Sequence, residues 1–120
     1  MLKQTLKQYS IDNPPNFNLG RKPEVQKVYD EFRLKRENRD KFLELVKDKL
    51  STERFYLHLN DYPYDVEEPI QHWLLWWNKP LDINALTNLF FGEKLVCFWV
   101  NLSKNNSIPE INHAHVFAEK

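Results

Sequence analysis

With 120 residues, 42% of them hydrophobic, the chain is long enough for one domain around one core and too short for two. Residues 1–60 hold 13 Lys and Arg against 9 Asp and Glu, residues 61–120 hold 4 against 8, and the two halves cancel to a formal net charge of zero. That balance gives no nucleic-acid surface. The single cysteine, Cys97, excludes an internal disulfide framework or a multi-cysteine zinc cluster, and no apolar run approaches the roughly 20 residues of a membrane span.

The first ten residues, MLKQTLKQYS, carry no apolar signal core. The expectation is a cytoplasmic protein with no membrane and no nucleic-acid partner. Residues 1–22 read as an N-terminal extension, a short helix followed by irregular chain broken by Pro14, Pro15 and Gly20. Residues 23–120 read as a single α+β domain. Pro23 suits a first helical position, and Val25, Val28, Tyr29 and Phe32 follow at helical spacing. The stripe lapses into charge at Lys35–Glu37 and resumes at Phe42, Leu45 and Val46, with Asn38 as a candidate cap. This predicts two helices, or one kinked helix, ending near Leu50.

Thr52–Leu59 alternates as a strand and feeds the Pro-stiffened loop Asn60–Glu68. Ile70–Trp77 is apolar on both faces, with His72, Leu74 and Trp76 on one and Gln71, Trp73, Leu75 and Trp77 on the other, so it reads as a central strand. Asp82 is placed to cap a helix over Ile83–Phe91 that Gly92 closes. Lys94–Asn101 and Asn112–Ala118 are the last two strands, joined by a polar connection. Helices followed by β, β, α, β, β predict an α+β fold: an antiparallel or mixed sheet with packed helices.

All four histidines fall in predicted strands. His113 and His115, two apart, share a face. Paired imidazoles titrate near neutrality and serve as nucleophile, proton carrier or metal ligand. The candidate site therefore gathers His115, His113 and His72 as catalytic residues. Asn101 and Ser107 are neutral donors to a phosphate, and Asn60, Asp61, Tyr62, Tyr64 and Trp76 line the ligand mouth. Three readings stay open. One binds or hydrolyses a small phosphorylated ligand, a nucleotide or sugar phosphate, with no cofactor required. A second is a Zn or Fe enzyme in which His113 and His115 are joined by one of His72, His58, Asp61 or Glu67. The third is a non-enzymatic protein-interaction module whose histidines are structural. None of these features encodes an oligomeric state.

The spaced set Asn60-Asp61-Tyr62-Pro63-Tyr64, His72 with Trp76, Lys79-Pro80, Asn101, Ser107-Ile108-Pro109 and His113-x-His115-Val116 resembles the N-acetylglucosamine-induced protein family, a family of unknown function (DUF3605), over about Tyr29 to Phe117. That name implies an expression response to an amino sugar and no activity. From Ile70 onward, the succession strand, Lys-Pro, helix, strand ending in Asn101, Ser107 loop and His-x-His strand is similar to the histidine-triad hydrolases. That resemblance implies a histidine-triad-like fold and cleavage of nucleotide phosphoramidates or polyphosphates by a histidine nucleophile. If the first two triad positions match, His115 is the nucleophile and Phe117 replaces the third histidine. If the last two match, the nucleophile is His113 and Asn112 or Ile111 would have to replace the first histidine, which Ile111 cannot do; on that ground His115 is the favoured nucleophile.

Overall fold

The computed structural model describes residues 1–16, 19–101, 108 and 110–119. Helix α1 spans Lys3–Leu6, α2 Pro23–Leu34 and α3 Arg36–Thr52. The charged lapse separates two helices rather than kinking one, because Lys35 adopts an extended conformation (φ −104°, ψ 113°) between them. Asn38 does not cap α3. It sits inside the first turn of that helix, and its amide donates to the Phe32 carbonyl at 3.0 Å, closing the end of α2.

The strand expected from Thr52 starts later: β1 is Tyr56–Leu59. Helix α3 runs on to Thr52 because Leu50 packs with Leu74 and Trp76, and the Ser51 and Thr52 hydroxyls bond back to the carbonyls of Asp48 and Lys49. Strand β2 is Ile70–Trp77 and α4 is Ile83–Phe91, capped by Asp82, whose carboxylate accepts from Ala85 N–H at 3.0 Å. A short 3₁₀ turn, Gly92–Lys94, leads into β3, Leu95–Trp99, and β4 is Asn112–Glu119.

The four strands form one antiparallel sheet in the order β1-β2-β4-β3. The two long strands occupy its centre. Register decides the faces. His72 lies opposite Phe117, Leu74 opposite His115 and Trp76 opposite His113. His58 pairs with Leu74, and Trp99 with His115. Side chains across a pair share a face, so all four histidines stand on one side of the sheet. A bulge between Leu95 and Cys97 shifts β3, which places Leu95 among the opposite-face residues and Trp99 beside the histidines.

The opposite face is apolar and covered by α4: Leu75, Ala114 and Val116 pack with Ile83, Leu86 and Phe91. Two clusters cover the histidine face. Leu43, Val46 and Leu50 of α3 lie on Leu74, Trp76 and Ile111. Leu6, Leu19, Tyr64, Ile70, Cys97, Trp99 and Phe117 form the other. Residues 1–22 thus contribute Leu6 and Leu19 to a core cluster, and Lys3 pairs with Glu119 at the end of β4. Among the described residues, no helix is long and apolar enough to cross a membrane.

Candidate functional site

His72, His113 and His115 are 2%, 6% and 6% exposed, so burial disfavours their charged forms and their hydrogen bonds choose their tautomers. Their site is built around β2 and β4, with the Asn60–Glu68 loop laid over it. Tyr64 is the loop's inward side chain: its ring stacks on His115 with centroids 5.4 Å apart and tilts against His72 at 4.6 Å. Its backbone N–H donates to His72 Nδ1 at 3.1 Å, and the Asn60 amide lies 3.5 Å from the same nitrogen. Asn60 also accepts from Tyr62 N–H, which shapes the turn.

His72 Nε2 is 2.8 Å from His115 Nδ1. His115 Nε2 is 3.0 Å from the Asn101 amide nitrogen, and Asn101 Oδ1 accepts from Trp99 Nε1–H at 2.9 Å. Antiparallel pairing therefore brings Asn101 onto His115. His113 lies 5.7 Å from His115 between ring centroids, is stacked under Trp76 at 4.4 Å and places Nδ1 3.1 Å from the Ile111 carbonyl. Its Nε2 has no hydrogen-bond partner among the described residues. His58 is tied up at both nitrogens, with Nδ1 at the Leu59 carbonyl (2.9 Å) and Nε2 accepting from Trp76 Nε1–H (2.8 Å).

Electrostatics keep this cluster neutral. Burial, then the neighbouring His113 and Arg21 charges, brings His115 down to about 3. Burial, then His115 and Arg21, holds His72 well below its ordinary value. Burial lowers His113 and His58 as well, opposed at each by a backbone carbonyl bond.

The remaining candidates separate. Trp76 is fully buried and serves as the floor of His113. Tyr62 faces α2, with its ring 5.2 Å from Tyr29 and 5.3 Å from Phe32. Asp61 is exposed, near enough to His58 to favour its charged form. Glu67 accepts from Lys3 N–H rather than facing a histidine. Ser107 lies outside the described residues.

Arg21 is a participant that no local pattern marks. Its Nε donates to the Tyr62 carbonyl at 2.7 Å, and its guanidinium lies 4.0 Å over Tyr29 and 4.9 Å over Tyr64. Among the described residues it has no carboxylate partner within 4.0 Å. Among the described residues, too, no group of three or more His, Cys, Asp or Glu is arranged to hold a metal ion. Two surface grooves of about 560 and 500 Å³ lie along the α3 C-terminus and β1, and neither is lined by a histidine.

What the fold and the site define together is an α+β domain with a hydrogen-bonded imidazole cluster buried on one sheet face. The chain is similar to the crystal structure of HTC1, with a TM-score of 0.64 and 18% identity over 85% of this chain and 76% of that one. At that identity the likeness is one of fold. No family model matches the chain, and no curated protein does.

Proposed function

We propose that the protein binds a small phosphorylated ligand, a nucleotide or sugar phosphate, at the histidine cluster and that His113 is the group that meets its phosphorus. One observation carries this reading: of four imidazoles, His113 alone keeps a ring nitrogen without a partner among the described residues. A carbonyl only accepts, so the Ile111 bond puts the His113 proton on Nδ1 and leaves a lone pair on Nε2. Burial lowers the basicity of this imidazole and keeps it unprotonated at neutral pH. The role that the first register gave to His115 thus passes to His113, in line with the second register of the histidine-triad resemblance.

In hydrolysis, the Nε2 lone pair would form an N–P bond while the P–O bond to the leaving group breaks. The bonding pair departs on the leaving oxygen, which takes a proton from water. A second water then cleaves the N–P bond, releasing phosphate and restoring the imidazole. No cofactor enters these steps. Arg21, with no carboxylate within 4.0 Å among the described residues, supplies positive potential that attracts an anion to this side of the sheet.

The test is a panel of phosphate monoesters, phosphoramidates and dinucleoside polyphosphates, read by phosphate release and by intact mass for a phosphorylated chain. His113→Gln should lower turnover at least tenfold, about 1.4 kcal/mol in the barrier, while the melting temperature stays close to wild type. A wild-type protein that neither binds nor turns over any member, or an unimpaired His113→Gln, defeats the reading. The interaction-module alternative has its own support in the exposed Leu89 (81%) and Phe90 (53%) beside the β1 groove.

A further inference from the structure

The chain of polar groups from Tyr64 to Trp99 is short of one hydrogen-bond acceptor. It begins at a backbone N–H, which only donates, and ends at an indole N–H, which only donates. Tyr64 N–H occupies His72 Nδ1 as an acceptor, so neutral His72 carries its proton on Nε2. That proton points at His115 Nδ1, 2.8 Å away, which must accept it. Neutral His115 then carries its own proton on Nε2 and needs an acceptor where Asn101 stands. The Asn101 carbonyl already serves Trp99, and the two ends of one amide cannot both accept. Turning the amide over satisfies His115 and leaves its NH₂ group against the Trp99 N–H.

Within these links among the described residues, one donor is therefore unmet wherever the amide points, and Asn101 also bonds the Tyr64 side chain. The link from Tyr64 to His72 is buried, whereas the contacts of Asn101 with Trp99 and His115 are only partly buried. The shortfall is cheapest at the Asn101 end, where solvent or a ligand can reach.

We infer that His72 is a positioning residue: held by the Tyr64 amide, it locks His115 in the Nε2–H tautomer, so His115 faces the site as a donor beside the His113 lone pair. This rests on the ligand-binding reading above for its purpose, though not for its geometry. The two imidazoles of the His-x-His pair would then present opposite chemistry, one a lone pair and one an N–H. Such a pair suits a ligand that is electrophilic at its centre and an acceptor at its periphery. The Tyr64 backbone N–H sets this polarity through His72 on the neighbouring strand.

Long-range ¹H–¹⁵N spectra of the uniformly labelled protein read each imidazole tautomer directly. The expected pattern is Nε2–H for His72 and His115, and Nδ1–H for His58 and His113. In His72→Phe the Asn101 amide is free to donate to His115 Nε2, and His115 should switch to Nδ1–H. In His72→Gln, which can still donate to His115 Nδ1, the Nε2–H form should persist. A wild-type His115 in the Nδ1–H form, or the same His115 tautomer in His72→Phe as in wild type, overturns the inference. If His72→Phe does not fold, the wild-type and His72→Gln spectra decide alone: Nε2–H in both supports it, and Nδ1–H in either overturns it. These spectra need no ligand, so a failure of the phosphorylated-ligand reading leaves their outcome intact. Inorganic phosphate added to the wild type probes that reading separately, by displacement of the His115 Nε2 and His113 Nε2 signals.

Discussion

A buried neutral histidine makes a folded protein sensitive to acid. In the unfolded chain each of the four histidines titrates near 6.5. In the folded chain burial lowers all four, and His115 falls to about 3. Between those values the unfolded state binds protons that the native state refuses, so stability is complete above about pH 6.5 and declines as pH falls. For His115 the decline extends from about 6.5 toward about 3. His115 held neutral contributes a slope of about 1.4 kcal/mol per pH unit in that window. Urea unfolding followed by tryptophan fluorescence should therefore give a clearly lower stability at pH 5.5 than at pH 7.5. The slope should be shallower in His115→Asn. A stability unchanged between those pH values contradicts the neutral cluster.

At the scale of elements, α4 tests how far local signals suffice. Its two ends are closed by Asp82, which accepts from Ala85 N–H, and by Gly92, whose φ of 55° a side chain adopts only with strain. Nothing lies within 4 Å of a Cβ built at Gly92, so the obstacle to alanine there is conformational and not steric crowding. Asp82→Ala and Gly92→Ala should each cost about 1 kcal/mol. Both should leave the histidine tautomers unchanged, because α4 packs on the other face of the sheet. Chemical denaturation measures the first effect and the ¹⁵N spectra the second.

For the whole molecule, the segment before α2 is the instructive part. Leu6 is fully buried in one cluster with Tyr64 and Trp99, which stack on His115, and Phe117, which stacks on His72. Truncation of such a leucine costs about 2–5 kcal/mol. We expect Leu6→Ala to fall in that range by urea unfolding and to loosen Tyr64. An appended extension would leave both untouched, so the same variant decides whether residues 1–22 stand outside the domain.

Strand β3 was legible in outline only, since it runs Leu95–Trp99 rather than Lys94–Asn101 and its bulge breaks the period of two. Alternation and breakers sufficed for the strands β2 and β4, for α4 with both its ends, and for the shared face of His113 and His115. Each follows from a period of two or 3.6 residues that the chain carries locally. The start of β1 did not follow, since burial of Leu50 against β2 prolonged α3 past the point where strand-like residues begin. Nor could alternation say whether His72 joins the His113 face. That depended on the β2–β4 register, which sets His72 against Phe117 and is decided by packing between residues more than forty positions apart. The Tyr64 amide, the Ile111 carbonyl, the Trp99 indole and Arg21 entered the site the same way. Two of them are backbone groups that every residue possesses, and the other two are placed by contacts distant in the chain. The sequence by itself determined which imidazoles were available. Only the tertiary structure decided which nitrogen of each carries the proton, because a tautomer is chosen by the partner on the far side of the ring.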